Sequence, residues 1–105
     1  MRGIKSRPGP VNNLRLRKVR GSYSRVEHRF INGRFIDLLA TREILFYFFL
    51  IAVGDSKGIS YYSRERMAAI LKISVETIER ATEGLMDKEF IEYRRGVYQV
   101  LDLPE

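Results

Sequence analysis

After Ser63, apolar residues recur at intervals of three and four positions, in two runs that each follow a serine. The first stripe contains Met67, Ala68, Ile70 and Leu71, and the second contains Ile78, Ala81, Thr82, Leu85 and Met86. This period is typical of amphipathic helices. A serine hydroxyl accepts a hydrogen bond from an amide of the first helical turn, so Ser63 and Ser74 are predicted N-caps. The pattern predicts two short helices that bury their stripes against each other and against Ile73, Phe90 and Ile91.

Beyond the second helix the period changes from helical to alternating. The alternating apolar and aromatic positions are Ile91, Tyr93, Val97, Tyr98 and Val100. Residues of these types suit a pleated, half-buried surface, and Gly96 supplies the positive φ that a short hairpin loop needs. The alternation therefore predicts a β-hairpin that carries Arg94 and Arg95 at its tip.

An earlier apolar run, from Ile44 to Val53, has about half the length of a membrane span, which favours a buried core helix. We expect Thr41 to be its N-cap. The run is apolar around its whole circumference and contains the consecutive aromatic residues Phe46, Tyr47, Phe48 and Phe49. Either packing within the domain covers all four rings, or an uncovered patch forms a homodimer surface.

Positive charge is concentrated at the start of the chain, whose net charge is +6. Residues 1–35 hold ten Lys or Arg against Glu27 alone, or +9, and the remainder holds nine basic and twelve acidic residues, or −3. Residues 1–21 contain turn formers and few large apolar residues, so we expect a flexible basic arm before a folded domain over residues 22–105. Either this arm contacts nucleic-acid phosphates, or it is a solubilising tail. Its basic residues nearest the domain are Arg15, Arg17, Lys18 and Arg20.

Little in the sequence points to catalysis or to a cofactor. The chain has no cysteine, which excludes disulfides and thiolate metal sites and fits the cytoplasm best. His28 is the only histidine and the carboxylates are scattered, so no metal-ligand spacing exists. A glycine-rich phosphate loop and an apolar signal segment are also absent from the sequence. We expect a cytoplasmic, non-enzymatic protein of one domain, without a cofactor, a metal site or a membrane span.

A resemblance to winged helix-turn-helix proteins is carried by three segments. They are Met67-Ala68-Ala69-Ile70-Leu71-Lys72-Ile73-Ser74, then Thr77-Ile78-Glu79-Arg80 with Leu85, and finally Phe90-Ile91 leading into the hairpin. The family includes bacterial and phage transcription regulators and plasmid or phage replication initiators, and the resemblance covers residues 36–103. It implies a mainly α fold with a small β-hairpin, built as a three-helix core plus a wing. It also implies sequence-specific or semi-specific binding of double-stranded DNA by a regulator or an initiator-type protein.

The resemblance also implies a role for individual residues. In this family the second helix of the pair enters the major groove, and its early exposed residues face base edges. The implied base contacts are Glu76, Thr77 and Arg80, beside Val75. The implied contacts to the DNA backbone are Ser63, Arg64, Lys72 and Ser74. The wing tip, here Arg94 and Arg95, would touch phosphate or the minor groove.

Two features depart from the family pattern. Lys72 stands where the family often has glycine, so it either adopts a strained left-handed conformation or offers a phosphate contact. The exposed face of the second helix carries Glu76, Glu83 and Asp87 around Arg80. Acidic groups facing phosphate are unfavourable, although a glutamate can accept a hydrogen bond from cytosine N4. Arg80 either reads a base or pairs with Glu76 and Glu83 at helical spacing.

An alternative function follows from this acidic face. Winged helices also serve as protein docking modules, since a fold alone does not settle function. In that case the acidic second helix binds a basic protein partner, and the N-terminal arm alone contacts nucleic acid.

Overall fold

The computed structural model describes residues 8–103 of the protein. They form a small helix-rich domain with a three-stranded antiparallel sheet. In chain order the elements are α1 (Arg29–Asn32), α2 (Thr41–Val53), β1 (Ile59–Ser60), α3 (Arg64–Leu71), α4 (Val75–Asp87), β2 (Ile91–Arg94) and β3 (Val97–Val100). Short 3-10 helices at Asn13–Arg15 and Phe35–Leu38 precede α2. The two serine-capped helices and the hairpin predicted from the sequence are confirmed as α3, α4 and the β2–β3 pair.

Helix α2 lies at the centre of the hydrophobic core. Phe46 and Leu50 on this helix are completely buried, as are Ile78 and Leu85 on α4. Other large buried side chains come from α1, α3 and the hairpin, namely Phe30, Met67, Ile91 and Tyr98. The run from Ile44 to Val53 is therefore a core helix, as predicted. Within residues 8–103, no helix combines the length and the hydropathy that crossing a membrane requires.

The four aromatic residues of α2 are covered to different extents. Phe46 and Tyr47 are buried, and burial raises the pKa of Tyr47 to about 12. Phe49 is half-buried and packs edge-on against the ring of Tyr62, with the centroids 5.5 Å apart. Phe48, in contrast, is 39% exposed. Packing within the domain therefore covers part of this aromatic group and leaves Phe48 at the surface.

A third strand, which the sequence pattern did not predict, extends the hairpin into a sheet. β1 pairs antiparallel with β3, so that Ile59 lies opposite Gln99 and Ser60 lies opposite Tyr98. Because β3 also pairs with β2, the strand order is β1-β3-β2. A strand of two residues is too short to show an alternating period, and only its partner β3 distinguishes it from a loop.

The prediction that Thr41 is the N-cap of α2 is wrong. The N-cap is Ala40, and Thr41 is the first helical residue, with its side chain exposed. The Ala40 amide donates a hydrogen bond to Oε1 of Glu43, at a distance of 2.8 Å. Glu43, three residues after the cap, thus accepts from the amide of the cap residue itself. A threonine hydroxyl at the cap would instead accept from an amide of the first helical turn.

Glu43 also connects α2 to α4. The residue is only 4% exposed, and Oε1 lies 2.7 Å from Nζ of Lys88. Its carboxylate lies over Gly84, where a Cβ atom would overlap Oε2. Burial by itself raises the pKa of Glu43, but hydrogen bonds from Lys88 and Ala40 and the charges of Lys88 and Arg42 outweigh it, so the pKa is lowered. The carboxylate is therefore held in its charged form inside the contact between the two helices.

One residue of the apolar stripe predicted for α3 lies outside the core. Met67 and Ala68 are buried and Leu71 is half-buried, but Ile70 is 48% exposed. Successive residues are rotated by about 100° around a helix, which places Ile70 about 160° from Ala68. The two side chains cannot face the same neighbour. The short helix buries the side that carries Met67 and Ala68 and leaves Ile70 in solvent.

We expect the substitution Gly84→Ala to destabilise the protein, although alanine normally favours a helix by about 1 kcal/mol over glycine. The new Cβ would displace the Glu43 carboxylate, and overpacking of this kind costs about 1–3 kcal/mol. The free energy of unfolding from urea titration measures the effect. The matched control Glu83→Ala, at the exposed neighbouring position, should change stability by less than about 0.5 kcal/mol. An equal or higher stability of Gly84→Ala would show that no carboxylate occupies this space.

We also expect part of the stability to be lost in acid through Glu43. Because its pKa is lower in the folded than in the unfolded protein, the contribution is present above the unfolded value of 4.5 and disappears as the pH falls through the folded value. Urea titrations from about pH 6 to about pH 3 should show a shallower acid loss for Glu43→Gln than for the unmodified protein. Glu83→Gln should keep the full loss, and identical slopes for both variants would contradict the assignment.

Candidate nucleic-acid interface

The start of α3 is an exposed, capped helix end. Oγ of Ser63 accepts a hydrogen bond from the amide of Arg66 at 3.1 Å, which confirms the predicted cap. Arg66 is itself exposed, and its guanidinium lies 5.2 Å from the ring centroid of Tyr62. Arg66 was not among the DNA-contacting residues expected from the sequence. Its position three residues after the predicted cap Ser63 could have indicated it, because that position lies in the first turn of the helix.

The turn between α3 and α4 is closed by a lysine in a left-handed conformation. Lys72 has φ 60° and ψ 42°, and its amide donates to the carbonyl of Ala68 at the end of α3. The amide of Ile73 donates to the same carbonyl at 3.1 Å. Lys72 therefore adopts a backbone conformation that favours glycine, and its side chain extends into solvent. The left-handed conformation is confirmed, and the phosphate contact stays a prediction.

The first turn of α4 is held by a pair of hydroxyl groups. Oγ of Ser74 accepts a hydrogen bond from the Thr77 amide at 3.0 Å, so the predicted cap is confirmed. The two hydroxyl oxygens of Ser74 and Thr77 are also 2.8 Å apart and share a hydrogen bond. Thr77 is half-buried, whereas Glu76 beside it is exposed. Cap and threonine thus form one local unit in which the hydroxyl of Thr77 is oriented by Ser74.

The outermost stripe of α4 is charged along its length. Its members, spaced by four, three and four positions, are Glu76, Arg80, Glu83 and Asp87, all of them exposed. Ion pairs with Glu76 and Glu83, one of the two roles considered for Arg80, do not form. Across residues 8–103 no carboxylate lies within ion-pair distance of its guanidinium. Three acidic groups and one basic group give this stripe a net charge of −2.

Arg64 behaves differently from the other predicted backbone contacts. Its Nη1 lies 2.9 Å from Oε2 of Glu79 on α4, and its guanidinium lies 5.3 Å from the ring centroid of Tyr93 on β2. The residue is half-buried between these partners. Arg64 therefore connects α3, α4 and the hairpin, and its charge is largely engaged within the domain.

The hairpin tip is a two-residue turn in which both central residues have positive φ. Arg95 has φ 50° and Gly96 has φ 84°, the combination that type I′ hairpin turns require. Arg94, the last residue of β2, is opposite Val97. Both arginines are exposed, and among the residues that the structure describes neither has an ion-pair partner. The tip therefore presents two positive charges, without ion-pair partners among the described residues, on a two-residue turn.

The described part of the N-terminal arm is exposed throughout residues 8–21. Its one regular feature is a 3-10 turn, in which Oδ1 of Asn12 accepts hydrogen bonds from the amides of Leu14 and Arg15 at 3.0 and 3.1 Å. The four predicted arm contacts, Arg15, Arg17, Lys18 and Arg20, all lie in solvent. The remainder of the predicted arm, residues 1–7, lies outside the described residues.

Together these elements present charges and hydrogen-bonding groups to solvent. Residues 8–103 bring together no three side chains of His, Cys, Asp or Glu that could hold a metal ion. His28 precedes α1, and its carbonyl accepts hydrogen bonds from the amides of Ile31 and Asn32. No protein-family model, curated protein or solved structure matches the chain. What the surface offers chemically is free cations at Lys72 and at the hairpin tip, beside the exposed charged stripe of α4.

We expect Lys72→Gly to raise the free energy of unfolding relative to Lys72→Ala, by about 1 kcal/mol. Both substitutions remove the same charge and the same side chain, but only glycine adopts the left-handed conformation without a steric penalty from Cβ. Urea titration of the two variants isolates the backbone contribution. Equal stabilities would mean that the turn relaxes to negative φ when lysine is removed.

Proposed function

We propose that this protein is a cytoplasmic, non-catalytic winged helix-turn-helix protein that binds double-stranded DNA, as a transcription regulator or an initiator-type protein. In this assignment α3 and α4 are the helix-turn-helix, the β2–β3 hairpin is the wing, and α2 completes the three-helix core. The order of helices and strands and the sheet order β1-β3-β2 support it. So do the serine caps that begin both helices.

The observation that carries the proposal is the exposure of α4 next to free cations. An α-helix fits the major groove of DNA, and the face of α4 opposite the core is covered by no other part of the described chain. Arg80 stands in the middle of that face without an ion-pair partner among residues 8–103, free to donate two hydrogen bonds to a guanine. Glu76 can accept from cytosine N4, and Thr77 can contact either base type.

Affinity and specificity come from different parts of the protein in this proposal. The stripe of α4, with its net charge of −2, repels phosphate, so it contributes selection among sequences rather than general attraction. The attraction comes from cations elsewhere, namely Lys72, Arg94, Arg95 and the arm residues Arg15, Arg17, Lys18 and Arg20. Each phosphate that such a cation neutralises adds salt-sensitive affinity through counterion release. Ser63 and Ser74 hold the helix ends near the backbone, and Arg64 fixes the wing relative to α4.

The acidic stripe also supports a second candidate function. Glu76, Glu83 and Asp87 form an exposed acidic surface that a basic protein segment could bind, while the arm alone contacts nucleic acid. The two functions differ in where the sequence preference resides. Only DNA reading by α4 makes that preference depend on Arg80.

The test is a selection of bound sequences from random DNA duplexes with the full chain, followed by affinity measurements at several salt concentrations. We expect Arg80→Ala to weaken binding to the selected sequence by about 1–3 kcal/mol and to relax the preference at one position. We expect replacement of Arg15, Arg17, Lys18 and Arg20 by glutamine to weaken binding to all sequences equally. The salt slope should then fall by about one unit for each phosphate that the arm no longer neutralises.

The control for both changes is Arg34→Ala, which removes one exposed positive charge that is paired with Asp37 at 2.7 Å. It should leave the selected sequence and the salt slope nearly unchanged. A sequence preference that survives Arg80→Ala, with all loss of affinity confined to the arm variant, would favour the protein-docking function. Binding by neither the unmodified chain nor the variants would contradict DNA binding altogether.

A further inference from the structure

The outward face of α2 is an uncharged, mostly apolar stripe that the described residues leave partly exposed. Its members, spaced by four, three and four positions, are Thr41, Leu45, Phe48 and Ala52, all of them exposed. Leu45 and Phe48 have exposed fractions of 40% and 39%. None of the four carries a charge, whereas every residue of the corresponding stripe on α4 is charged. Solvent-facing helix surfaces are normally polar, so this face of α2 lacks the composition that contact with water favours.

Further apolar residues lie on both sides of α2. Ile31 of α1 is 54% exposed, and the neighbouring Phe30 packs against Phe48 with the ring centroids 5.5 Å apart. On the opposite side Phe49 packs against Tyr62, which is also partly exposed. A group of exposed apolar residues marks a contact with another molecule more often than isolated exposed residues do.

We propose that a second copy of this chain covers the stripe, as an antiparallel pair of α2 helices related by a two-fold axis between Phe48 and Phe49. An axis at this point places Leu45 opposite the partner's Ala52 and Ala52 opposite the partner's Leu45. Each contact pairs a large side chain with a small one. The same contact occurs twice, as the symmetry of an isologous interface requires. The two copies of Phe48 lie beside each other at the centre of the pair.

The charges at the ends of α2 support the same pairing. Arg42 lies at the N-terminal end of the helix, where the macrodipole disfavours a cation, and within residues 8–103 it forms no ion pair. Asp55 follows the C-terminal end, and hydrogen bonds from the amides of Ile59 and Lys57 lower its pKa and keep it charged. The proposed axis brings Arg42 to the partner's Asp55 and to the negative end of the partner's helix. A second copy of the chain thus complements this surface in side-chain size and in charge.

The absence of cysteine from the chain allows the register to be tested by disulfide trapping. A mixture of Leu45→Cys and Ala52→Cys proteins, distinguished by mass, should form a mixed disulfide under mild oxidation. Leu45→Cys alone should not, because seven residues of helix separate the two copies of this position by about 10 Å along the axis. Disulfide formation needs Cα atoms closer than about 7 Å. A mixture of Ile70→Cys and Ala52→Cys is the control and should give no mixed product.

Sedimentation equilibrium without DNA measures the association itself. Phe48→Glu should weaken dimerisation by about 30-fold or more, the effect of losing an interface hot spot. Ile70→Glu, at an equally exposed apolar position on α3, should leave it unchanged. Circular dichroism tests whether both variants are folded. If Phe48→Glu does not fold, the mixtures of cysteine variants test the dimer interface instead.

A monomeric mass of the unmodified chain at the highest soluble concentration would overturn the proposal. So would a dimeric mass without the mixed disulfide between positions 45 and 52, because the interface would then lie elsewhere. If residues 1–7 of the same chain bound the stripe, the protein would be a monomer, and this result would also contradict the proposed dimer. None of these readouts involves DNA, so they are independent of the duplex-binding test.

Discussion

The packing of α2 against α4 is the constraint on which the rest of this structure depends. Phe46 and Leu50 meet Ile78 and Leu85 in the core, and beside them the Glu43 carboxylate occupies the space above Gly84. Because Gly84 has no side chain, the carboxylate fits in that space while it pairs with Lys88. A buried carboxylate without a cation would be strongly destabilising, and for this reason the contact holds α4 in one orientation relative to α2.

Both outward surfaces of the domain follow from that orientation. When α4 turns Ile78 and Leu85 toward the core, the helical period places Arg80 and its acidic neighbours in solvent. When α2 turns Phe46 and Leu50 inward, the same period leaves Leu45 and Phe48 outside. Helix α4 thus exposes charged residues and α2 exposes apolar residues, while the opposite faces of both helices form the core. The proposed DNA contact and the proposed self-association are therefore separate consequences of one packing arrangement, and each can fail without the other.

The candidate site was more accessible to sequence reasoning than the ends and partners of the core elements. Ser63 and Ser74 were recognisable as caps because a cap acts on amides two or three residues away. The hairpin was recognisable because the type I′ turn needs residues that tolerate positive φ, and Gly96 is one of them. The strand β1, in contrast, exists through its pairing with β3 nearly forty positions later. The ion pairs of Arg80 with Glu76 and Glu83 do not form, whereas Glu79 on the same helix pairs with Arg64 of α3, a tertiary contact that spacing along α4 does not indicate.

What the sequence determined by itself was therefore local: the helical and alternating periods, the two serine caps and the glycine at the hairpin tip. Each of these rests on backbone geometry and hydrogen bonds over at most a few residues. Only the tertiary structure decided that Glu43 is buried and pairs with Lys88, that Ile70 stays exposed, and that Phe48 is partly exposed while Phe46 is buried. Those outcomes depend on which surfaces meet in space, and residues far apart in the chain set that together.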